Sequence, residues 1–519
     1  RFFGSDQVLL HRARVARCAV CQQSFRSPRP LVGRHNPRSR LRVGLHNHGR
    51  NLKRDAQHSW RTHPWPPPRT EITHFDTRAK SQIVYSRHMA THPLELSARV
   101  IESGVVDEPL NRVTNEITEL AENLAIVESF SHSAIIDTGD GLMCFDASGA
   151  GSGKDVVKSI RSWRKDRISN LIYTHGHADH IGGSFAFAAD ATEHNFQKPH
   201  VIGHENVSTR IDRYEQTSDW NIRINQRQFG GIRSDMGLNI GENLQRFLPR
   251  STMRPDQTFR DTHTFTAGSI KVELHHARGE TDDHLWAWLP DKKWLFAGDF
   301  VIWNYPNAGN PQKVQRYAFE WAQALRRMIA QGPELLVPAH GLPIEGKKRI
   351  ATVLDDIASS LESLVTQVID MMNAGETLDA IVHTVKVPQQ ILDKPYMRPL
   401  YDEPEFVVRN IWRLYGGWWD GAPSRLKPAP DSQVATELAN LSGGAENLMN
   451  RALELMESGD IRMACHLADF AGWAAPEDPQ IHANRATIYE RRRKSELSLM
   501  SKGIFKGAAR ESQAIADKK

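Results

Sequence analysis

Cysteine is scarce: the 519 residues hold four, Cys18, Cys21, Cys144 and Cys465. So few exclude a disulfide-built scaffold and favour a reducing compartment. Cys18 and Cys21 form a Cys-x-x-Cys pair with no second pair nearby, which is too little for a zinc knuckle. Long apolar runs are missing too. Stretches such as Leu335-Leu336-Val337 fall far short of the roughly 20 residues that a membrane helix needs, so no membrane span is expected. Acidic residues are almost absent from the first seventy positions, which carry fifteen Lys and Arg against Asp6 and Asp55. The net charge of +5 comes from that segment, because the rest of the chain has 51 basic and 59 acidic residues. A nuclease-like basic surface is thereby excluded beyond the N-terminal segment, and no nucleic-acid partner is expected.

Residues 1–80 read as a disordered, Arg-rich tail. They lack a starting Met, include the proline-rich stretch His63–Glu71, and have a make-up compatible with an organelle transit peptide. The cytoplasm or an organelle matrix is the expected location. The length implies two or three domains. Asn123–Ser148 alternates β-favouring runs with a Gly-Asp-Gly turn and predicts a strand meander. Val156, Val157, Ile160 and Trp163 are spaced as one face of a helix over Gly153–Arg167, and a strand follows at Ile168–Thr174. Three further strands are expected within 269–277, 284–290 and 293–299, then a helix over 315–332 and a strand over 334–341. Strands followed by helices, twice over, predict an αββα sandwich at 90–349. From about Ile350 the pattern turns helical, notably over Ile350–Ala374 and Ala445–Ala474, with an aromatic and glycine-rich break at Trp412–Pro423. Residues 350–519 are expected to form an all-α domain, and the segments from Ala445 resemble a helical hairpin of the tetratricopeptide kind.

The segment Leu171–Gly183, LIYTHGHADHIGG, places His175, His177, Asp179 and His180 at the end of an apolar strand. Imidazole nitrogens and carboxylate oxygens are ligands that zinc takes at about 2.0–2.2 Å. Alternation along a short loop lets His175 and His177 face one ion while Asp179 and His180 turn toward a second. Gly176, Gly182 and Gly183 are expected to permit the sharp backbone path.

This motif resembles the metallo-β-lactamase superfamily, and the resemblance implies further ligands at later strand ends. In the superfamily's third-histidine slot the chain has Glu280, with His276 and His284 as nearby alternatives; Asp299 and His340 each follow a later apolar strand. By family analogy His175, His177 and Glu280 hold one zinc ion, Asp179, His180 and His340 hold a second, and Asp299 bridges. Asp179 and Asp299 are the expected catalytic carboxylates. Glutamate in that slot is similar to the alkylsulfatase branch, as are Pro199–Gly231 and Glu403–Pro428. The likeness spans roughly residues 90–510.

The resemblance implies a dinuclear zinc hydrolase that cleaves sulfate esters with a metal-bound hydroxide, and a helical domain that forms a homodimer. A small anionic ester is the expected substrate, and Tyr214, Asn225, Arg227 and Arg316 are the candidates to hold its head group. The family's Asn-Leu-Tyr-x-Leu-Arg-Gly stretch, whose arginine is linked to sulfate recognition, has no arginine in that place within Asn304–Tyr317. Arg316 is the arginine that could compensate. A third, lipid-carrier-like domain of the bacterial alkylsulfatases has no counterpart expected before Lys519. Hydrolysis of another ester, a lactone or thioester, and a non-catalytic binding scaffold are the alternatives.

Overall fold

The computed structural model describes residues 91–229 and 245–518, so the expected tail lies outside the described residues. A helix at Pro93–Ser103 precedes an antiparallel meander: β1 (Glu116–Ala121), β2 (Leu124–Glu128), β3 (Ser133–Asp137) and β4 (Leu142–Phe145). Helix Gly153–Trp163 leads into β5 (Ile168–Ile172), and helix Ser184–Glu193 leads into β6 (His200–His204). Helices Asn206–Gln216 and Ser218–Phe229 come before β7 (Gln257–Phe259). Then follow β8 (Thr262–Ala267), β9 (Ile270–His276), β10 (Leu285–Leu289) and β11 (Trp294–Gly298), helix Ala318–Gln331, β12 (Leu335–Pro338) and β13 (Ile344–Glu345).

Among the described residues these strands make two sheets. One runs β1 to β7 in sequence order; the other runs β13-β12-β11-β10-β9-β8. Pairs β4/β5, β5/β6 and β11/β12 are parallel, which puts their C-terminal ends on common edges. Successive residues of a strand point to opposite faces. Ile126, Ile136, Phe145 and Ile172 accordingly meet Leu274, Leu285, Ala287 and Phe296 between the sheets. Their neighbours Val127, Ile135, Cys144 and Leu171 pack outward on Val156, Ile160 and Phe187. Trp286, Trp288, Leu295 and Ala297 do the same on the other side, against Trp321, Leu325 and Leu354. Both faces of the central strands are buried, which explains their near-continuous apolar runs, and the result is the four-layer αββα arrangement. The strands not anticipated, β1, β6, β7, β8 and β13, are mostly short or at sheet edges, where apolar alternation is weak.

Helix Lys347–Asn373 packs on Ala318–Gln331, and its Leu354, Leu361 and Leu364 share a core with Trp286 and Leu295. Helix Pro404–Gly416 joins the same core through Val407, Val408 and Ile411. The expected helical stretch Ala445–Ala474 is two helices, Ala445–Glu457 and Ile461–Ala474. Asp460 starts the second by accepting from the Met463 amide at 3.2 Å. Helices Pro479–Ser495 and Leu499–Ala516 follow, and the last packs back on Ser218–Phe229. Among the described residues no helix is long and apolar enough to cross a membrane.

Candidate metal centre

Each ligand-type residue leaves the C-terminal end of a strand or the loop beside one, where a rigid sheet can aim it. His175 and His177 follow β5. Asp179 and His180 stand on a single helical turn, Ala178–Ile181, rather than on the tight loop expected. The backbone at Gly182 and Gly183 is right-handed, with φ of −63° and −79°. These glycines therefore serve close approach rather than an unusual turn: a Cβ on Gly183 would lie 2.1 Å from the Ala147 carbonyl oxygen. Glu280 lies between β9 and β10, Asp299 directly after β11, and His340 two residues after β12.

Two triads result, His175–His177–Asp299 and Asp179–His180–His340, with the candidate ligand atoms of each within 4.8 Å of one another. His175 Nε2 and His177 Nδ1 are 2.8 Å apart. His340 Nε2 lies 3.4 Å from Asp179 Oδ2. Asp299 stands between the triads: Oδ2 is 3.8 Å from His175 Nε2, whereas Oδ1 is 3.4 Å from His180 Nε2 and 3.6 Å from His340 Nε2. Glu280 Oε1 is 3.4 Å from His177 Nδ1. All seven residues are thus brought together. His284 turns elsewhere, its Nε2 accepting the Asp299 amide N–H at 3.1 Å, and His276 stacks on His204 at 3.9 Å.

The chemistry of this donor set fits divalent cations. His180 Nε2, Glu280 Oε2 and Asp299 Oδ1 are buried with no hydrogen-bond partner among the described residues, an arrangement that costs free energy unless something charged satisfies it. Burial, then the neighbouring imidazoles of His180 and His177, hold His175 well below the usual histidine range, so it offers a lone pair. Burial would lift the Asp299 carboxyl, but His180 and His340 beside it hold it far below the usual range. Glu280 is pushed up by burial against the pull of Arg316. A carboxylate held this way gains most from a cation placed next to it.

A surrounding layer fixes the ligands. Asp146, just after β4, accepts from Thr174 through its amide (2.8 Å) and hydroxyl (2.7 Å) and sits 2.8 Å from His180 Nδ1. A proton on that nitrogen leaves Nε2 bare and directed inward. One Glu280 oxygen is held by Asn307 at 2.6 Å and Arg316 at 2.7 Å. Asp283 accepts from the Gly176 amide at 3.0 Å and from buried Arg210 at 2.9 Å, steadying the loop that carries His175 and His177. Sequence reading missed Asp146, Asn307 and the Arg210–Asp283 pair. Asp146 ends an apolar strand just as Asp299 does, and that signal could have found it; the others carry none.

Above this floor lies a cavity of about 260 Å³. His177, Asp179, Glu280, Asp299 and His340 open into it, and Phe130, Phe229, Phe247, Leu248, Leu400 and Leu499 give it an apolar wall. Of the head-group candidates, Tyr214, Asn225 and Arg316 line this cavity. Arg316 is engaged with Glu280 and the Asn307 carbonyl. Arg227 is not among the lining residues and stands near Gln312 and Glu511 at the surface.

Comparison with known proteins agrees with this architecture. Residues 126–340 match the metallo-beta-lactamase superfamily, so the chain contains a domain of that class. Residues 377–514 match the alkyl sulfatase dimerisation family, so a region of that kind follows the metallo-beta-lactamase domain. A linear primary-alkylsulfatase of a Pseudomonas species is 25% identical over 67% of this chain and 65% of its own length. An (R)-specific secondary-alkylsulfatase of Pseudomonas is 23% identical over 71% of this chain and 56% of its own. The chain therefore spans less than two thirds of either relative. In fold it is similar to the inverting sec-alkylsulfatase Pisa1 from Pseudomonas, with a TM-score of 0.67, 20% identity, and 78% of this chain and 66% of that one covered.

Proposed function

We propose that this chain is a dinuclear zinc hydrolase of anionic sulfate esters, acting as a homodimer. His175, His177 and Glu280 would hold one ion, and Asp179, His180 and His340 the other, with Asp299 shared. Bound zinc lowers the pKa of water toward neutrality and draws off the negative charge that develops on an ester. The chain's own residues do the rest. Asp146 keeps the His180 proton on Nδ1. Asn307 and Arg316 hold one Glu280 oxygen and leave the other free. The apolar wall excludes water and receives the non-polar part of the ester, so that its reacting end lies over the floor where the ions would be held. The observation that carries this reading is the pair of triads, with Asp299 of the first also 3.4 and 3.6 Å from two histidines of the second, and three buried ligand atoms that have no hydrogen-bond partner among the described residues.

Metal analysis combined with a substrate panel tests it. The expected result is two zinc ions per chain and sulfate release from a medium-chain alkyl sulfate. Less than one zinc per chain at saturation removes the dinuclear reading. Turnover of lactones or thioesters alone moves the activity to that class, and zinc binding without turnover of any ester leaves a scaffold.

A further inference from the structure

Three cationic side chains were at hand to meet an anionic ester, and the fold disposes of two. Arg316 is buried and its guanidinium is committed to Glu280 and to the Asn307 carbonyl. Arg227 lies at the surface, outside the cavity lining. Lys313, which no sequence signal marked, is a lining residue of the cavity and is partly exposed to it. Its Nζ donates to Asn225 Oδ1 at 3.0 Å, and among the described residues it has no ion pair. Asn225 is itself buried and fixed, its Nδ2 donating to the Asn221 carbonyl at 2.7 Å, so its oxygen aims the ammonium rather than following it.

We propose that Lys313, aimed by Asn225, is the anchor for the anionic head group of the substrate and sets the preference for charged over neutral esters. The proposal rests on the sulfate-ester reading above. An ammonium has three donors, and Asn225 accounts for one, leaving two for oxygens of a bound sulfate. Burial, then the nearby Arg316, push its pKa down to about 7, and a bound anion would favour the charged form.

Calorimetric binding of decane-1-sulfonate, a sulfonate that cannot be hydrolysed, to the zinc-loaded protein tests this. A charge-assisted hydrogen bond predicts a loss of roughly tenfold or more in affinity for Lys313→Gln. For decyl sulfate the KM should rise by a similar factor with kcat falling less than threefold, and Lys313→Arg should restore most of both. Equal sulfonate affinity in wild type and a folded Lys313→Gln protein overturns the role of Lys313 while leaving the sulfate-ester function standing. Should Lys313→Gln not fold, Lys313→Met decides by the same criterion: a loss of about tenfold or more in sulfonate affinity by the folded variant supports the role, and equal affinity overturns it. Wild type that neither binds the sulfonate nor releases sulfate overturns the functional reading and this anchor with it.

Discussion

Asp146 bears on the metal centre without lining the cavity. One of its oxygens serves the Thr174 amide, and the other serves both the Thr174 hydroxyl and His180 Nδ1. In an Asp146→Asn variant the carbonyl oxygen must stay with the Thr174 amide, so an NH2 group faces His180. The imidazole proton then moves to Nε2, the atom turned toward the centre, and the lone pair is lost there. Outer-shell partners of this kind are worth about 10–100-fold in metal affinity. A loss in that range is expected in a chelator-competition titration, with the melting temperature of the metal-free protein little changed. Unchanged affinity would show that Ser131, 3.1 Å from the same nitrogen, suffices alone. Residue chemistry also explains what could be read in advance. Histidines and aspartates at the ends of apolar strands are costly unless used, so His175, His177, Asp179, His180, Asp299 and His340 stood out. Lys313 sits in an irregular loop with no periodicity, and nothing local distinguishes it from a solvated lysine.

At the scale of elements, the most telling contact is between helices Leu499–Ala516 and Ser218–Phe229. Gly503 makes it: a Cβ there would lie 2.1 Å from the Gln228 carbonyl oxygen and 2.7 Å from that of Arg227. Gln228 also donates to the Tyr401 hydroxyl at 2.9 Å, and the start of the last helix brings Leu499 to the cavity beside Leu400 and Tyr401. The helical region thereby supplies one wall of the cavity over the metal centre. Gly503→Leu forces the two helices apart. Overpacking of this kind costs about 1–3 kcal/mol, so a melting temperature lower by several degrees and faster proteolysis of the C-terminal helix are expected. If neither changes, the helix docks in some other way. Periodicity marked helical stretches at Ile350–Ala374 and Ala445–Ala474 but neither of these two helices, and it held no information about which would close over the sandwich.

At the scale of the whole molecule, apolar side chains on the helical side are exposed among the described residues. Trp418 is 70% exposed, and Tyr415 and Trp419 beside it are also exposed, in the aromatic break between helices. Together with the match to a dimerisation family, this favours a second copy of the chain as the cover. Trp418→Lys should convert a dimer to monomer in light scattering at micromolar concentration, with the zinc content of each chain retained. A dimer that persists would put the interface elsewhere on the helical region.

The sequence by itself determined the layer order and the strands that end in histidine or aspartate, because apolar runs and the cost of polar groups at strand ends are local properties; Glu280 was reached only through the resemblance to the superfamily. Only the tertiary structure decided that Asp299 lies between two triads, that Arg316 is occupied by Glu280, and that Lys313 faces the cavity. Each of these depends on which distant segment a side chain meets, and a partner that satisfies or frees a charge is chosen by packing across the fold rather than by its neighbours along the chain.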